Sequence, residues 1–391
     1  MVSARLAQSL CRGVYREATL WKALAGVEAI CSSCRWFQRS VKELSTSARF
    51  SGAAGEPHKP LKQWTLIVNS YSTVKVQLPC NVSVRPLDPH SFPEADRAFI
   101  TVNGTSADQG LKLDNFHVKY NEKRKELFIT SEKISSNMSV EVTAPINCDL
   151  DIKTLGEGNV KIQKMECENC TILTERGHSI LHSIKGHTVH VHSKGGNVIC
   201  LGTIYGNIDV STSKNSHVDI AKLQGTRMSI STEHGAVKAK YIYAESSVVS
   251  SVTGKIELGN VHGNISLQSE TGDIIVDGSD GYLNALVKDG DIDAYISQFG
   301  TADIESQQGA VSVRVPSSIK TNILLSGAVV DVSPEIPLEE VYQSCEDGHT
   351  KLTACINGKA DKNSWIKAHA AKGTVSLRSQ SWVESLKIGK S

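Results

Sequence analysis

Aromatic side chains are scarce. The chain of 391 residues carries 7 Phe, 5 Trp and 9 Tyr. A globular core of that size normally draws on more, because aromatics bury the largest area per residue. Methionine is scarcer still, at 4. Neither charge is in excess, with 42 Lys and Arg against 41 Asp and Glu. A nucleic-acid binder working by bulk charge needs a basic surface, so that class is excluded. Long apolar runs are missing. Stretches such as residues 323–330 fall far short of the roughly 18 residues of a membrane helix, and no transmembrane segment is expected. Nor is there a phosphate-binding P-loop, a GxSxG elbow or an HExxH motif, and Gly156-Glu-Gly158 lacks the rest of a dinucleotide fingerprint. No cofactor and no catalytic residue is expected.

What is present begins with a basic N-terminus. Residues 1–50 hold Arg5, Arg12, Arg16, Lys22, Arg35, Arg39, Lys42 and Arg49 against Glu17, Glu28 and Glu43. On a helix, Arg5, Arg12 and Arg16 fall within about 40° of one another, opposite Leu6, Leu10, Val14 and Trp21. An Arg-rich, acid-poor amphipathic start describes a mitochondrial transit peptide. Residues 44–52 resemble a matrix processing site, with Arg49 two residues before a cut after Phe50. A secretory signal needs an unbroken apolar stretch, and Glu28 interrupts the best one. A disordered basic tail is the bland alternative. Removing residues 1–50 leaves 34 basic and 38 acidic residues, a net of −4. The expected address is the mitochondrial matrix.

Glycine, at 30, is plentiful and periodic. It recurs at 177, 186, 196, 206, 225, 235, 254, 263, 272, 281, 290, 300 and 309, with Ser216 and Glu245 at the midpoints of the two longer gaps. Each step is 9 or 10 residues. Two residues after the glycine comes an apolar side chain in most copies, such as Val198, Ile208, Val237, Ile256 and Ile265; two further on comes another, such as Leu258, Leu267 and Val276. The residues between are polar or small. That alternation is a strand with one buried face, and the glycine supplies a bend without a Cβ penalty. Two arms make a rung of 18–20 residues. Stacked rungs predict an all-β fold, a β-solenoid with a narrow aliphatic interior. Some seven rungs would stretch on the order of 35 Å at about 4.8 Å each.

The organisation follows. Residues 51–60 read as a linker, 61–145 as an N-terminal β cap, 146–335 as the solenoid and 336–391 as a C-terminal cap with final arms, including Gly373-Thr-Val375-Ser-Leu377. Strands are predicted at 64–68, 74–78, 81–85, 98–102, 116–120, 127–130 and 138–143, with a hairpin loop over 121–125. The run Ala144-Pro-Ile-Asn-Cys-Asp-Leu-Asp-Ile152, the Gly-x-Ile/Val-x-Leu/Val arms and Val315-Pro-Ser-Ser together resemble the family of proposed adhesins, a β-solenoid domain of unknown function common in bacteria. The likeness covers roughly residues 61–385, and the whole chain also resembles a vertebrate protein built on that domain. The resemblance implies a fold and supplies no catalytic residue. Its adhesin label describes architecture.

Three constellations bear on chemistry. His178, His182, His187, His190 and His192 cluster near Cys167-Glu-Asn-Cys170 and Cys200. Cys and His suit zinc, so Cys167, Cys170, His190, His192 and Cys200 form a candidate metal set; the alternative is a solvated His face over buried thiols. Of the 10 cysteines, seven follow residue 50, and free thiols are the expectation in a reducing compartment. Cys345 and Cys355 could meet across a hairpin. Asp209, Asp219, Asp273, Asp291, Asp293 and Asp303 recur on outward arms. Stacked carboxylates can serve acid–base chemistry in β-helix polysaccharide enzymes, but uniform steps leave no long loop to wall a cleft. Five N-glycosylation triplets, at Asn81, Asn103, Asn137, Asn169 and Asn264, matter only on a secretory route. The reading is a non-enzymatic scaffold or binding module for a protein partner, using a flat face or an end, with end-to-end self-association open. A carbohydrate-active enzyme, a metal-binding module and a secreted adhesin remain as alternatives.

Overall fold

The computed structural model describes residues 59–104, 115–131, 134–346, 348–361 and 363–380. The expected transit peptide and most of the linker lie outside them. The described residues form 25 strands in one continuous paired set, with no helix. The fold is all-β and solenoidal, as the alternation predicts.

One rung shows the logic. Residues 198–201 run along one broad face and turn at Gly202, whose φ is +70°. Residues 203–205 make a short third side. The chain turns again at Gly206, φ +129°, and residues 207–212 form the other; the face of residues 207–212 is the first broad face and that of residues 198–201 the second. The next rung then begins at Val218, paired in parallel over Val198. Like residues therefore stack. Val198, Val218, Val237, Ile256, Ile274, Ile292 and Val311 form one inward column. Ile208, Met228, Ser247, Ile265, Leu283 and Ala302 form a second. The sequence pattern anticipates the first and most of the second, in which Met228 stands three residues after its glycine and Ser247 is polar. It misses the third, Ile204, Leu223, Ile242 and Val261, because the two-arm template stops four residues after each glycine. All four are buried.

The stack extends past residues 146–335 in both directions. Residues 73–86 pair over 149–163, and 126–144 pair over 73–86. The seven strands expected in this region are all present, including the antiparallel hairpin His117–Asn121 with Glu126–Thr130. At the other end, the arm containing Val375 and Leu377 is not a terminal addition. Strand Trp365–Ser379 inserts between residues 302–315 and strand Thr321–Val332, parallel to both. Antiparallel strands close each end: Arg97–Gly104, Lys59–Ile67 and His117–Asn121 at one, His349–Ile356 and Leu338–Glu346 at the other.

The glycines serve close approach more than bending. Gly196 has an ordinary backbone, yet a Cβ there would lie 1.9 Å from the carbonyl oxygen of Gly177 one rung away. Glycine follows glycine at most rungs of this corner because the rungs touch through their backbones, Ser216 being the exception between Gly196 and Gly235. Just inside the corner a second column, Thr174, Ser193, Thr212, Thr232 and Ser251, is buried. All but Thr174, whose hydroxyl meets Ser179 Oγ at 3.4 Å, bond to the corner backbone: Ser193 donates to the Gly196 carbonyl at 2.5 Å, and Gly254 N–H donates to Ser251 Oγ at 2.7 Å. Ser269 continues the column but its hydroxyl has no partner among the described residues.

Neighbouring glycines provide an internal control. Ala at Gly196 forces two backbones apart, and overpacking of this kind costs about 1–3 kcal/mol. At Gly195 the added Cβ would meet Glu175 O at 3.1 Å, which a small shift relieves. Thermal unfolding followed by circular dichroism should show a lower midpoint for Gly196→Ala than for Gly195→Ala; equal midpoints would mean that backbone contact does not limit this corner. The hydroxyl column gives a second contrast. Ser251→Ala removes a satisfied buried bond and should cost roughly 1 kcal/mol in urea unfolding. Ser269→Ala should be neutral or stabilising.

Candidate functional site

The narrow third side brings Tyr205, Tyr241 and Tyr243 into two adjacent outward rows. Lys185, Tyr205, Gln224, Tyr243, His262 and Asp280 stand in one outward row, each paired over the next. Thr203, Lys222, Tyr241 and Asn260 form the row beside it. Parallel stacking sets the aromatic geometry. Tyr243 and His262 lie one rung apart with ring centroids 4.6 Å apart and planes at 9°. Tyr241 and Tyr243 are 6.5 Å apart, and the Lys222 ammonium sits 4.9 Å from the centre of the Tyr243 ring. At the end of the row His262 Nδ1 meets an Asp280 carboxylate oxygen at 3.2 Å, and Ser297 donates to the other at 3.1 Å. Tyr205 and Tyr241 remain 41% and 43% exposed. Tyrosine combines a broad apolar body with a polar tip and loses little entropy when it binds, which is why it concentrates at interfaces.

The candidate metal set does not come together. Parity along the strand decides it. Cys170 and Cys200 point inward and are buried, whereas His190 is exposed and His192 half-buried on the outer surface of the first broad face. His190 Nδ1 lies 3.4 Å from Asp209, and His192 Nδ1 is 2.7 Å from Ser211 Oγ. Cys167 lines a groove of about 480 Å³ with Tyr71, Asp149, Glu166, Glu168 and His187. Among the described residues no three His, Cys, Asp or Glu side chains are grouped to hold a metal ion. His178 instead belongs to a ladder that caps the turns between rungs. Asn159 Oδ1 accepts the His178 amide at 2.7 Å, His178 Nδ1 accepts the Asn197 amide at 3.0 Å, and Asn197 Oδ1 accepts the His217 amide at 3.0 Å.

The recurrent carboxylates are likewise engaged. Asp273 and Asp291 extend the same kind of ladder, accepting the amides of Asp291 and Ala310 at 3.1 and 2.7 Å. Asp293 accepts from Arg314 at 2.7 Å, and Asp303 lies 3.9 Å from Lys367. Asp219 is in a column with Lys238 and Glu257, whose own pair spans 2.8 Å. Its hydrogen bond to Lys238 holds the Glu257 carboxyl below the usual carboxylate range. These are the contacts of charges stacked on a sheet. Of the glycosylation triplets, Asn81 Oδ1 caps the Asn159 amide at 3.0 Å, and Asn103 is buried against Glu141.

The thiols divide by depth. Cys345 pairs opposite Thr350 near the hairpin tip, and Cys355 opposite Glu339 near its base, so the hairpin keeps the two apart. Burial pushes Cys80 and Cys200 up to about 12 and Cys148 up to about 11. Reagents attack the thiolate. Peptide mapping after brief alkylation of the native protein should find Cys345 modified, with Cys80, Cys148, Cys170 and Cys200 reacting only on unfolding. Rapid native modification of Cys200 would contradict its inward placement.

The aromatic row had a signal in the sequence: residues 205, 224, 243 and 262 are spaced by 19, one rung. A template tuned to glycine and aliphatic positions passes over it.

Comparison with known proteins fits this architecture. Residues 92–242 and 205–328 match the Toastrack DUF4097 family. Among solved structures, a proposed adhesin of Parabacteroides merdae is 10% identical with a TM-score of 0.36, covering 64% of this chain and 95% of that one. A proposed adhesin of Bacteroides fragilis is 12% identical with a TM-score of 0.32, covering 83% and 99%. A proposed lipid-binding protein of Parabacteroides distasonis is 10% identical with a TM-score of 0.31, covering 81% and 96%. Since the two family matches together take in residues 92–328, more than half of its length, the chain belongs to the Toastrack DUF4097 family.

Proposed function

We propose that this chain is a non-enzymatic binding module of the mitochondrial matrix, a vertebrate-type member of its family, and that its narrow face receives a protein partner. One observation carries the reading. Outward aromatics are aligned there by the rung register: the exposed Tyr205 and Tyr241 and the half-buried Tyr243, flanked by Lys222, His262 and Asp280. A rigid row of this kind presents contact area that needs no further ordering, which lowers the cost of binding. The recurrent carboxylates support the non-enzymatic side, because they act as turn caps and as partners of Lys, Arg and His. The matrix address rests on the eight basic residues and amphipathic pattern of residues 1–50.

Two experiments test it. A photo-crosslinking amino acid in place of Tyr241 should give discrete adducts in intact cells. The same group at Ser229, on a broad face, should give none. Equal adducts from both positions, or none from Tyr241, would remove the narrow face from consideration. The intact mass of protein isolated from its own cells should correspond to a start near Ser51 without attached sugar. A retained N-terminus bearing glycan would replace the matrix with the secretory route.

A further inference from the structure

A solenoid has two ends, and here they differ in outline and in charge. On the first broad face the N-terminal end finishes with one closing strand, His117–Asn121; on the second it finishes with two, Arg97–Gly104 and Lys59–Ile67. The C-terminal end is stepped the other way. Its first broad face carries two closing strands, His349–Ile356 and Leu338–Glu346. Among the described residues, its second broad face finishes with residues 329–332 of the last parallel rung. The tall side of each end therefore meets the short side of the other.

Charge follows the same division. Strand His117–Asn121 carries Lys119 and runs through Glu122 into Lys123, Arg124 and Lys125, a net basic edge whose four cationic side chains are all exposed. Strand Leu338–Glu346 carries Glu339, Glu340 and Glu346, also exposed. Among the described residues none of these seven side chains joins a salt bridge. Each strand pairs along one edge only within the described residues. Strand direction is compatible as well. Leu338–Glu346 is antiparallel to a strand that is itself antiparallel to the rungs, so it runs with them; His117–Asn121 runs against them. Placed edge to edge, the two would pair antiparallel, the arrangement most common for a sheet extended between chains.

We propose that the partner of this acidic edge is the basic edge of a second copy of the chain, giving a head-to-tail contact through strands His117–Asn121 and Leu338–Glu346. Two acidic edges repel one another. The acidic strand also bulges at Glu340, whose φ is +51°, and a bulge with charge is how a sheet edge resists indiscriminate pairing. Because the contact is heterologous, it leaves a free edge on each outer copy and builds a series rather than a closed dimer. It uses neither the narrow face nor its tyrosines, so it stands apart from the binding role proposed for them.

Sedimentation velocity of the full chain tests it across concentration and salt. Dimers and longer species should increase with concentration, and their dissociation constant should rise at least tenfold from low salt to 1 M, since exposed charges are screened over about 3 Å there. Two double variants are then compared, Glu339→Lys with Glu346→Lys and Lys119→Glu with Arg124→Glu. Each alone should be monomeric with an unchanged circular dichroism spectrum, and an equimolar mixture should associate again. If the Lys pair disturbs the spectrum, Glu339→Gln with Glu346→Gln makes the same test. A wild-type chain monomeric at all concentrations, charge-reversed variants that associate as well as wild type, or a mixture that stays monomeric would each overturn the proposal.

Discussion

Parallel hydrogen bonding of one rung upon the next, at about 4.8 Å, governs the molecule. It places each residue directly over its counterpart one rung away. Whatever a position holds must tolerate a copy of itself at that distance. Val, Ile, Leu and Ala meet the condition in the interior columns, which is why so few aromatics suffice. Glycine meets it where backbones touch, as at Gly177 and Gly196. Amide and imidazole acceptors meet it at the turns, where Asn159, His178 and Asn197 each accept from the next rung. Like charges do not, because like charges directly opposite on a sheet repel. Outer columns can alternate sign, as with Asp219, Lys238 and Glu257, and where like charges do stack, as Arg314 over Arg378, each is paired with a carboxylate, Asp293 and Asp331.

The same constraint explains what could be read in advance. A repeating position leaves a periodic trace, so the glycine steps and the aliphatic pairs after them disclose the solenoid and its rung length. The early strands were legible through simple alternation. The third side was not, since its three residues are too short to alternate and its buried member, Ile204 or Leu223, looks like an isolated apolar residue. The inserted strand Trp365–Ser379 was recognisable as an arm but not as a rung between two earlier segments, because sequence order carries no information about such an exchange. At the candidate site, the histidine and cysteine cluster was visible as composition. Its separation by strand parity emerges only when Cys200 and His190 are assigned to opposite sides of their sheets. The aromatic row was present at 19-residue spacing, but Gln224 breaks it in sequence while continuing it in space.

Stacking also settles where function can vary. An inward residue is tied to neighbours above and below, so a change is felt in three rungs. Outward residues on the narrow side are tied through their backbone and a few surface contacts, such as Tyr243 on His262 and Lys222 over Tyr243, rather than by packing on every side. That freedom allows Tyr, Gln, Lys, Asn and His to succeed one another where the interior is mostly aliphatic, and the residues of this surface can change without disturbing the fold beneath it.

The ends impose the remaining constraint. In a simple solenoid, stability is close to a sum over neighbouring rungs, and terminal rungs fray first. This chain departs from that pattern. Residues 126–144 return to cover 73–86, which pair on their other side with 149–163. Residues 365–379 return to enter between 302–315 and 321–332. In both places a rung cannot leave without breaking pairings made by segments distant in sequence. The loop-closure entropy of such a return grows only slowly with its length, so locking an end this way costs little more than extending it by a sequential rung. The locked ends hold a regular stack whose individual arms are too short to be stable alone, and they do so with few aromatics and with every thiol among the described residues left free.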